Sequence, residues 1–534
     1  MKESKSKIIF IFLALSIMAL AGRKQEEKII KPGQKESSTM EKSEAKENST
    51  AAKSSDEVKT PLNKTLNGYS LDFDINNYTE KTAEVDGKTV KYRAYENIVY
   101  VKNPVDINYQ TMNIYIPEEY FNGGKIGRYS ESTAPVFFPN TVGGYMPGAA
   151  EVAGINKRSG KNNAALVALS KGYVVAAPGA RGRTLKNSEG KYTGKAPAAI
   201  VDLKAAVRYL HFNDKVMPGD ANKIISNGTS AGGALSALLG ASGNSGDYEK
   251  YLKELGAAEG KDDIFAVSAY CPITNLEHAN EAYEWMFNGI DTYQKMTITM
   301  LDYNVERKTE VKELTEAEKV LSPQLKDIFP AYVNSLNLKD SSGKLLTLDK
   351  KGEGSFKEHV KKYVIESGNK ELSKGTDLSQ FKFLTIKNNV VTDVNFEEYA
   401  KNIGRLKAPG AFDAMDLSAG ENNLFGDADT DNKHFTEFMM NYNEAEKSEM
   451  ADKEIVKMMN PMNYIGSKSA STAKYWRIRH GEADRDTSLA IPVILALKLE
   501  NSGKDVDFSA PWAQGHGGDY DLDELFEWME KVSN

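Results

Sequence analysis

A doubly wound α/β fold with a mainly parallel sheet, carrying one large and mainly helical insertion, is what the sequence predicts. Two observations lead there: from about residue 66 onward short β-type runs alternate with apolar helical ones, and one block, 275–465, interrupts the alternation. The first runs, "TVKYRAYENIVYV" (89–101) and "TMNIYIP" (111–117), read as an antiparallel edge pair. "APVFFPN" (134–140), "YVVAAPG" (173–179), "KIISNG" (223–228), "IFAVSAYCPI" (264–273), "YWRIRHG" (475–481) and "DVDFSAPW" (505–512) read as more deeply buried strands. Between them lie the helical stretches "NAALVALSKG", "APAAIVDLKAAVRYLHFND" and "TSLAIPVILALKLENSG", the last ending on Gly503 as a cap. The block 275–465 has few β-type runs, many Lys and Glu, and amphipathic stretches such as "LTEAEKVLSPQLKDIF" and "SFKEHVKKYVIES". A structureless connection of that length is foreign to compact domains, so an inserted domain is expected there, dividing the α/β domain into 66–274 and 466–534.

At 534 residues, 40% of them hydrophobic, the chain can bury a sizeable core. The net charge of −7, with Lys and Arg mixed among Asp and Glu, gives no basic face and argues against nucleic acid as a partner. A single cysteine, Cys271, excludes an intrachain disulfide and a Cys-based zinc site; it reads as a small buried hydrophobe, and no metal is expected. At the N-terminus, "MKESKSK" precedes the apolar run "IIFIFLALSIMALA", and Ala19-Leu20-Ala21 fits the small-x-small rule of signal cleavage. Residues 1–22 are therefore expected to be an export signal. The "LAG" of residues 20–22 is like a lipoprotein box, but Arg23 stands where the lipidated Cys would be. A soluble exported protein (periplasmic, cell-surface or secreted) with no stable membrane span after signal cleavage is expected, the alternative being a lipoprotein ancestor or a substituted cysteine at residue 23. Residues 23–65, rich in Lys, Glu and Ser, have too few large apolar residues to offset chain entropy and are expected to be a flexible tether.

Chemistry enters at "IISNGTSAGGALSALLG", where a strand runs into Gly228-Thr229-Ser230-Ala231-Gly232 and a helix runs out. This is the context of a G-x-S-x-G nucleophile elbow, whose small neighbours permit a sharp turn that lifts the Ser230 hydroxyl above an α/β-hydrolase sheet. Chain order in such folds is Ser, then Asp or Glu, then His. His516 fits, because "PWAQGHGGDYD" is a Gly-rich loop just after the last strand; His211 precedes the serine, His278, His359 and His434 lie in the insertion, and His480 lies within a strand. The acid should follow the preceding strand, where "RHGEADRDTS" offers Glu482, Asp484 and Asp486 at every second position. Asp484 and Asp486 are the candidates to orient the imidazole, and the pattern does not separate them. Backbone N–H groups of Ala231, just after the serine, and Gly144, in "FFPNTVGGYMPG", are expected to stabilise the oxyanion. "DADTDNKHF" starts like a calcium loop but has Asn432 in place of the required Gly and Phe438 in place of the required Glu, and reads as a solvated acidic turn.

Taken together, "PNTVGGYMPG", "NGTSAGGALSALLGASGNSGDYEKYLKELGA", "AFDAMDLSAGENNLFG" and "DRDTSLAIPVILALKLENSGKDVDFSAPW…GHGGDYDL" closely resemble the bacterial tannases of the subtype B group. The resemblance covers nearly everything from about residue 66 to the end, insertion included. It implies an α/β-hydrolase with an inserted lid domain that hydrolyses galloyl ester and depside bonds through a serine triad, with no cofactor. Residue by residue, it implies Ser230 as nucleophile, Asp484 as triad acid and His516 as base, with Lys407, Glu421 and Asp486 as ligands of the galloyl hydroxyls. A ring with three adjacent phenolic hydroxyls calls for ionised acceptors and one cationic donor, which that trio supplies. Glu482 is left as a solvated bystander. The partner is then a small-molecule galloyl ester. Competing expectations are a feruloyl or other aromatic carboxylesterase of the same fold, and an exported binding protein that retains a dead hydrolase fold.

Overall fold

The computed structural model describes residues 61–534 apart from 67, 157–158 and 302–303, with side chains undescribed at 295–301 and 304–309. The predicted signal (1–22) and nearly all of the predicted tether (23–65) lie outside these residues. Nine strands form the central sheet: β1 (Thr79–Val85), β2 (Lys88–Val99), β3 (Thr111–Pro117), β4 (Pro135–Pro139), β5 (Val174–Pro178), β6 (Asp220–Thr229), β7 (Ala266–Tyr270), β8 (Tyr475–Arg479) and β9 (Asp505–Ser509). Their spatial order is β9-β8-β7-β6-β4-β5-β3-β2-β1. The neighbours from β9 to β5 pair in parallel, while β5–β3, β3–β2 and β2–β1 are antiparallel. Order reverses between β4 and β5, so the carboxyl ends of the parallel strands open onto a crevice, where such sheets place their ligands.

Composition explains the layering. The strands β4, β5 and β7 are buried at every residue, as befits a parallel sheet covered on both faces. Helices α1 (Ala164–Ser170), α2 (Ala198–Asn213) and α3 (Ala231–Ala241) provide early crossovers. The later helix Ala490–Asn501 is apolar almost all round and almost wholly buried, and Gly503 ends it at φ 75°, its N–H bonded to Glu500 O at 2.9 Å. The predicted pair at 89–101 and 111–117 forms, but not as the sheet edge. That position belongs to β1, "TEKTAEV", whose polar, mostly outward-facing residues disguise it as loop. Charge on an edge strand blocks pairing with other chains.

Between β7 and β8 the chain leaves the sheet. The long helices there are Ala279–Phe287, Glu316–Ser335 and Ser355–Ser373, the second opened by a Thr315/Glu318 capping box. Two antiparallel hairpins stand among them, Thr292–Leu301 with Asn304–Glu313 and Leu384–Lys387 with Val390–Val394, more β-structure than the composition suggested. Aromatic residues of this segment, Trp285, Phe329, Phe356 and Phe396, join the same hydrophobic cluster as the sheet and its helices. Among the described residues no helix is long and apolar enough to cross a membrane.

Candidate active site

Ser230 sits at the junction of β6 and α3 with φ 62° and ψ −123°, backbone that costs a residue with a Cβ about 1–3 kcal/mol. The surrounding glycines are there because nothing larger fits. A Cβ on Gly228 would lie 2.3 Å from Gly232 O, one on Gly232 would lie 2.6 Å from Val142 O, and one on Gly233 would lie 2.5 Å from Tyr270 O. Ser230 N–H donates to Tyr270 O at 2.9 Å, pinning the turn to β7. Gly232→Ala is thus expected to destabilise the protein by roughly 1–3 kcal/mol, because the contact is backbone against backbone and cannot relax by a rotamer change. A thermal melt against the parent checks it.

The structure brings three of the sequence-predicted residues into one line. His516 Nε2 lies 2.8 Å from Ser230 Oγ, and His516 Nδ1 lies 2.8 Å from Asp484 Oδ2. The other Asp484 oxygen accepts the Asp486 N–H at 2.8 Å. Asp484 is 1% exposed. Burial opposes its charge, but the two neighbouring histidines, His480 and His516, and its hydrogen bonds outweigh burial and hold it below the usual carboxylate range. The reciprocal balance acts on His516: burial favours the neutral ring, while the charge and hydrogen bond of Asp484 raise its pKa well above the ordinary value.

The three acids of "RHGEADRDTS" have three different fates. Asp484 faces His516. Asp486 faces Lys407, Oδ1 to Nζ at 3.0 Å, and the same oxygen stands 3.9 Å from His516 Nε2. Glu482 is not solvated, contrary to expectation: it is 4% exposed, accepts the Ala513 N–H at 3.2 Å, and burial pushes its pKa to about 7. Its own N–H donates to Pro511 O at 2.9 Å, so the loop after β9 folds over it.

Lys407 and Glu421 come from the segment between β7 and β8. Tyr283 accepts the N–H groups of Leu406 and Lys407 at 2.9 and 3.1 Å and donates to Arg485 O at 2.9 Å, joining the lysine's backbone to the acidic turn. Beneath it Arg405, paired with the fully buried Glu284, donates to Lys407 O. The Lys407 ammonium lies 4.0 Å over the Phe412 ring. Glu421 is 8% exposed in the short helix Gly420–Leu424. Burial raises its pKa, Lys407 draws it down and Asp486 pushes it up, so the three charges share one field. The motif "AFDAMDLSAGENNLFG" is held by buried Asp413, whose carboxylate accepts from Asn422, Phe435 N, Thr436 N and the Thr436 hydroxyl and bonds the His434 ring.

Ala231 is the first residue of α3, so its N–H is among those a helix leaves without an intrahelical partner. Gly144 (φ 55°) lies in the loop after β4. Asn140, at the start of that loop, donates to Gly232 O at 3.1 Å and to Ser236 Oγ at 3.0 Å and so fastens the loop to α3. Asn140, inside "FFPNTVGGYMPG", is a functional position that the sequence alone did not single out. His480, set aside as lying within a strand, has its Nδ1 3.6 Å from Asp484 Oδ2. Among the described residues, the grouping with metal-ligand chemistry is Cys271, His480 and Asp484, their donor atoms within 4.8 Å of one another; His516 and the Asp486 amide already engage that carboxylate.

Strand order, elbow and loop placement define the chain as an α/β-hydrolase. The family described as BD-FAE, an α/β-hydrolase-type domain, matches residues 143–324. No curated protein matches the chain. Among solved structures, the tannase of Fusobacterium nucleatum is 60% identical, covering 87% of this chain and 100% of its own, with a TM-score of 0.83. A Lactobacillus plantarum tannase is 45% identical over 87% of this chain and 100% of its own, with a TM-score of 0.84. A tannin acyl hydrolase solved in complex with ethyl gallate is 45% identical over 87% of this chain and 99% of its own, with a TM-score of 0.82. The chain belongs to the tannases, and it is an esterase.

Proposed function

We propose that the protein is an exported tannase that hydrolyses galloyl ester and depside bonds to gallic acid and an alcohol or sugar, without a cofactor. Residues 1–22 act as signal and 23–65 as tether; 66–274 and 466–534 form the hydrolase domain, and 275–465 the inserted lid. The observation that carries the reading is the division of two acids two residues apart: Asp484 bonds His516 at 2.8 Å while Asp486 bonds Lys407 at 3.0 Å. One turn thereby supplies both a catalytic acid and a substrate ligand. The relative solved with ethyl gallate supports the choice of substrate.

In this reading Ser230 attacks the ester carbonyl as His516 takes its proton, and the N–H groups of Ala231 and Gly144 receive the oxyanion. His516 returns the proton to the departing alcohol, and water then releases gallic acid from the acyl-enzyme. Lys407, Glu421 and Asp486 hold the ring hydroxyls on the acid half, which leaves the alcohol free to vary. Gallic acid release from methyl gallate tests the proposal. Lys407→Ala is expected to lower kcat/KM about 10²-fold, the size of a lost charge-assisted bond of ~1.5–3 kcal/mol; an unchanged value would make the lysine structural only.

The pH profile has a definite sign. The base works as neutral imidazole, and Asp484 stabilises the protonated form, so the acid limb of kcat/KM should lie above His516's ordinary value of 6.5. Activity then rises as pH rises through that limb. Asp484→Asn removes the stabilising charge, so the limb should move to lower pH while kcat falls about 10⁴-fold. Profiles of both proteins on methyl gallate check the direction.

A further inference from the structure

We propose that Arg183 is a positioning residue: its guanidinium bridges the oxyanion loop to the helix that carries Glu421, so that engagement of the acid ring and readiness of the oxyanion site are set by one clamp. The inference rests on the esterase reading above and adds a link between its two halves. Nothing in the nucleophile, base or acid geometry requires it.

The clamp is built from both sides. After β5 the chain runs back along the oxyanion loop. Gly148 and Ala180 exchange backbone hydrogen bonds at 3.0 and 2.8 Å, and Arg183 N–H donates to Tyr145 O at 2.9 Å. The two segments touch closely, since a Cβ on Gly182 would lie 2.2 Å from Met146 C. From this position Arg183 Nε donates to Gly144 O at 2.8 Å, and Nη1 donates to Asn423 Oδ1 at 2.9 Å. Gly144 takes its φ of 55° freely, but Tyr145 stands at φ 54°, left-handed backbone that a residue with a Cβ keeps only where its surroundings hold it.

On the far side, Asn423 is two residues from Glu421 in the helix Gly420–Leu424. It is fixed in turn: its carbonyl accepts Lys195 Nζ at 2.7 Å, and its amide donates to Asn432 Oδ1 at 2.9 Å. The helix start is shaped to the guanidinium, because a Cβ on Gly420 would lie 3.2 Å from Nη2 of Arg183. Glu421 and Arg183 feel one another's charge, each among the groups that shift the other's protonation. Only a rigid planar fork reaches the loop carbonyl and the helix amide together; a lysine reaches one of them.

The test uses the full chain with Arg183→Ala, Arg183→Lys and Asn423→Ala, assayed on methyl gallate and on p-nitrophenyl acetate, which has no ring hydroxyl. Loss of one aligned oxyanion donor costs ~10²–10³ in rate. Arg183→Ala should therefore lower kcat about 10²-fold on both esters, with KM changed less than about threefold. Added methylguanidinium should restore part of the activity of Arg183→Ala and leave the parent unaffected, a response that a merely structural role would not give. Asn423→Ala keeps the bond to Gly144, so its loss should fall on methyl gallate and spare p-nitrophenyl acetate. A parent-like kcat in folded Arg183→Ala, or an Asn423→Ala loss equal on both esters, overturns the proposal. Should Arg183→Ala not fold, Arg183→Lys on methyl gallate decides: reduced kcat with an unchanged melting temperature supports the clamp, and parent-like kcat removes it. A parent that cleaves p-nitrophenyl acetate but not methyl gallate would sink the galloyl reading alone, and the Arg183 variants on p-nitrophenyl acetate would still judge the clamp.

Discussion

Ser230→Ala should release gallic acid from methyl gallate roughly 10⁴–10⁶-fold more slowly than the parent, a loss of about 5–8 kcal/mol of transition-state stabilisation. The size follows from the lack of a substitute. The Ser230 hydroxyl is bonded to His516 Nε2, and no other hydroxyl shares that bond among the described residues. Cys271 lies near the same histidine, but burial pushes its thiol pKa up, so it carries little thiolate. Alanine keeps the Cβ and the strained turn, so the fold and the oxyanion donors persist and account for the residual rate. Parent and variant should melt together. Gallic acid release by the variant above about 1% of the parent's rate would remove Ser230 from the mechanism.

Ser230 and His516 were legible because their signals are local. An elbow needs a strand, small residues and a helix within one short stretch, and the histidine needs only a Gly-rich loop after the last strand. The acids were not separable this way: Asp484 and Asp486 stand two residues apart in one turn, and only packing buries the first and leaves the second beside Lys407. Glu482 was misjudged for a related reason, since its burial comes from Pro511 and Ala513, residues distant in sequence that close over it. In the insertion, Leu384–Lys387 and Val390–Val394 flank Asn388 and Asn389, both left-handed. That pair was a readable hairpin signal. The edge strand β1 was hidden because its inward positions are Lys81, Ala83 and Val85: burial alternates along it, but the residues that alternate inward are not consistently apolar, so hydrophobic periodicity shows no strand. Arg183 carried no motif at all; its partners Gly144 and Asn423 are brought to it by the fold.

Across a panel of esters, methyl gallate and methyl protocatechuate should be cleaved well and methyl ferulate and p-nitrophenyl butyrate poorly, with discrimination of up to ~10⁴–10⁵ in kcat/KM. A site made of Lys407, Glu421 and Asp486 is a poor host for a ring without adjacent hydroxyls. Such a ring excludes water from the three charges and returns no hydrogen bond, and each buried charged group left unpaired costs ~1.5–3 kcal/mol or more. On the proposed function a galloyl ring would reverse the balance: its phenols would donate to the two carboxylates and accept from the lysine, which already lies 3.0 Å from Asp486 and needs little reorganisation. Protocatechuate keeps two adjacent hydroxyls and should lose only part of the gain. Ferulate lacks one of them to methylation and moves its ester away from the ring by a vinyl unit, so a ring seated on Lys407 would hold the carbonyl out of register with Ser230. The discrimination should narrow about 10²-fold in Lys407→Ala, because gallate loses the lysine's bond while the poor esters have none to lose. Equal kcat/KM on all four esters would show that the charged trio does not touch the acid ring, and would leave a general aromatic esterase of this fold as the surviving description.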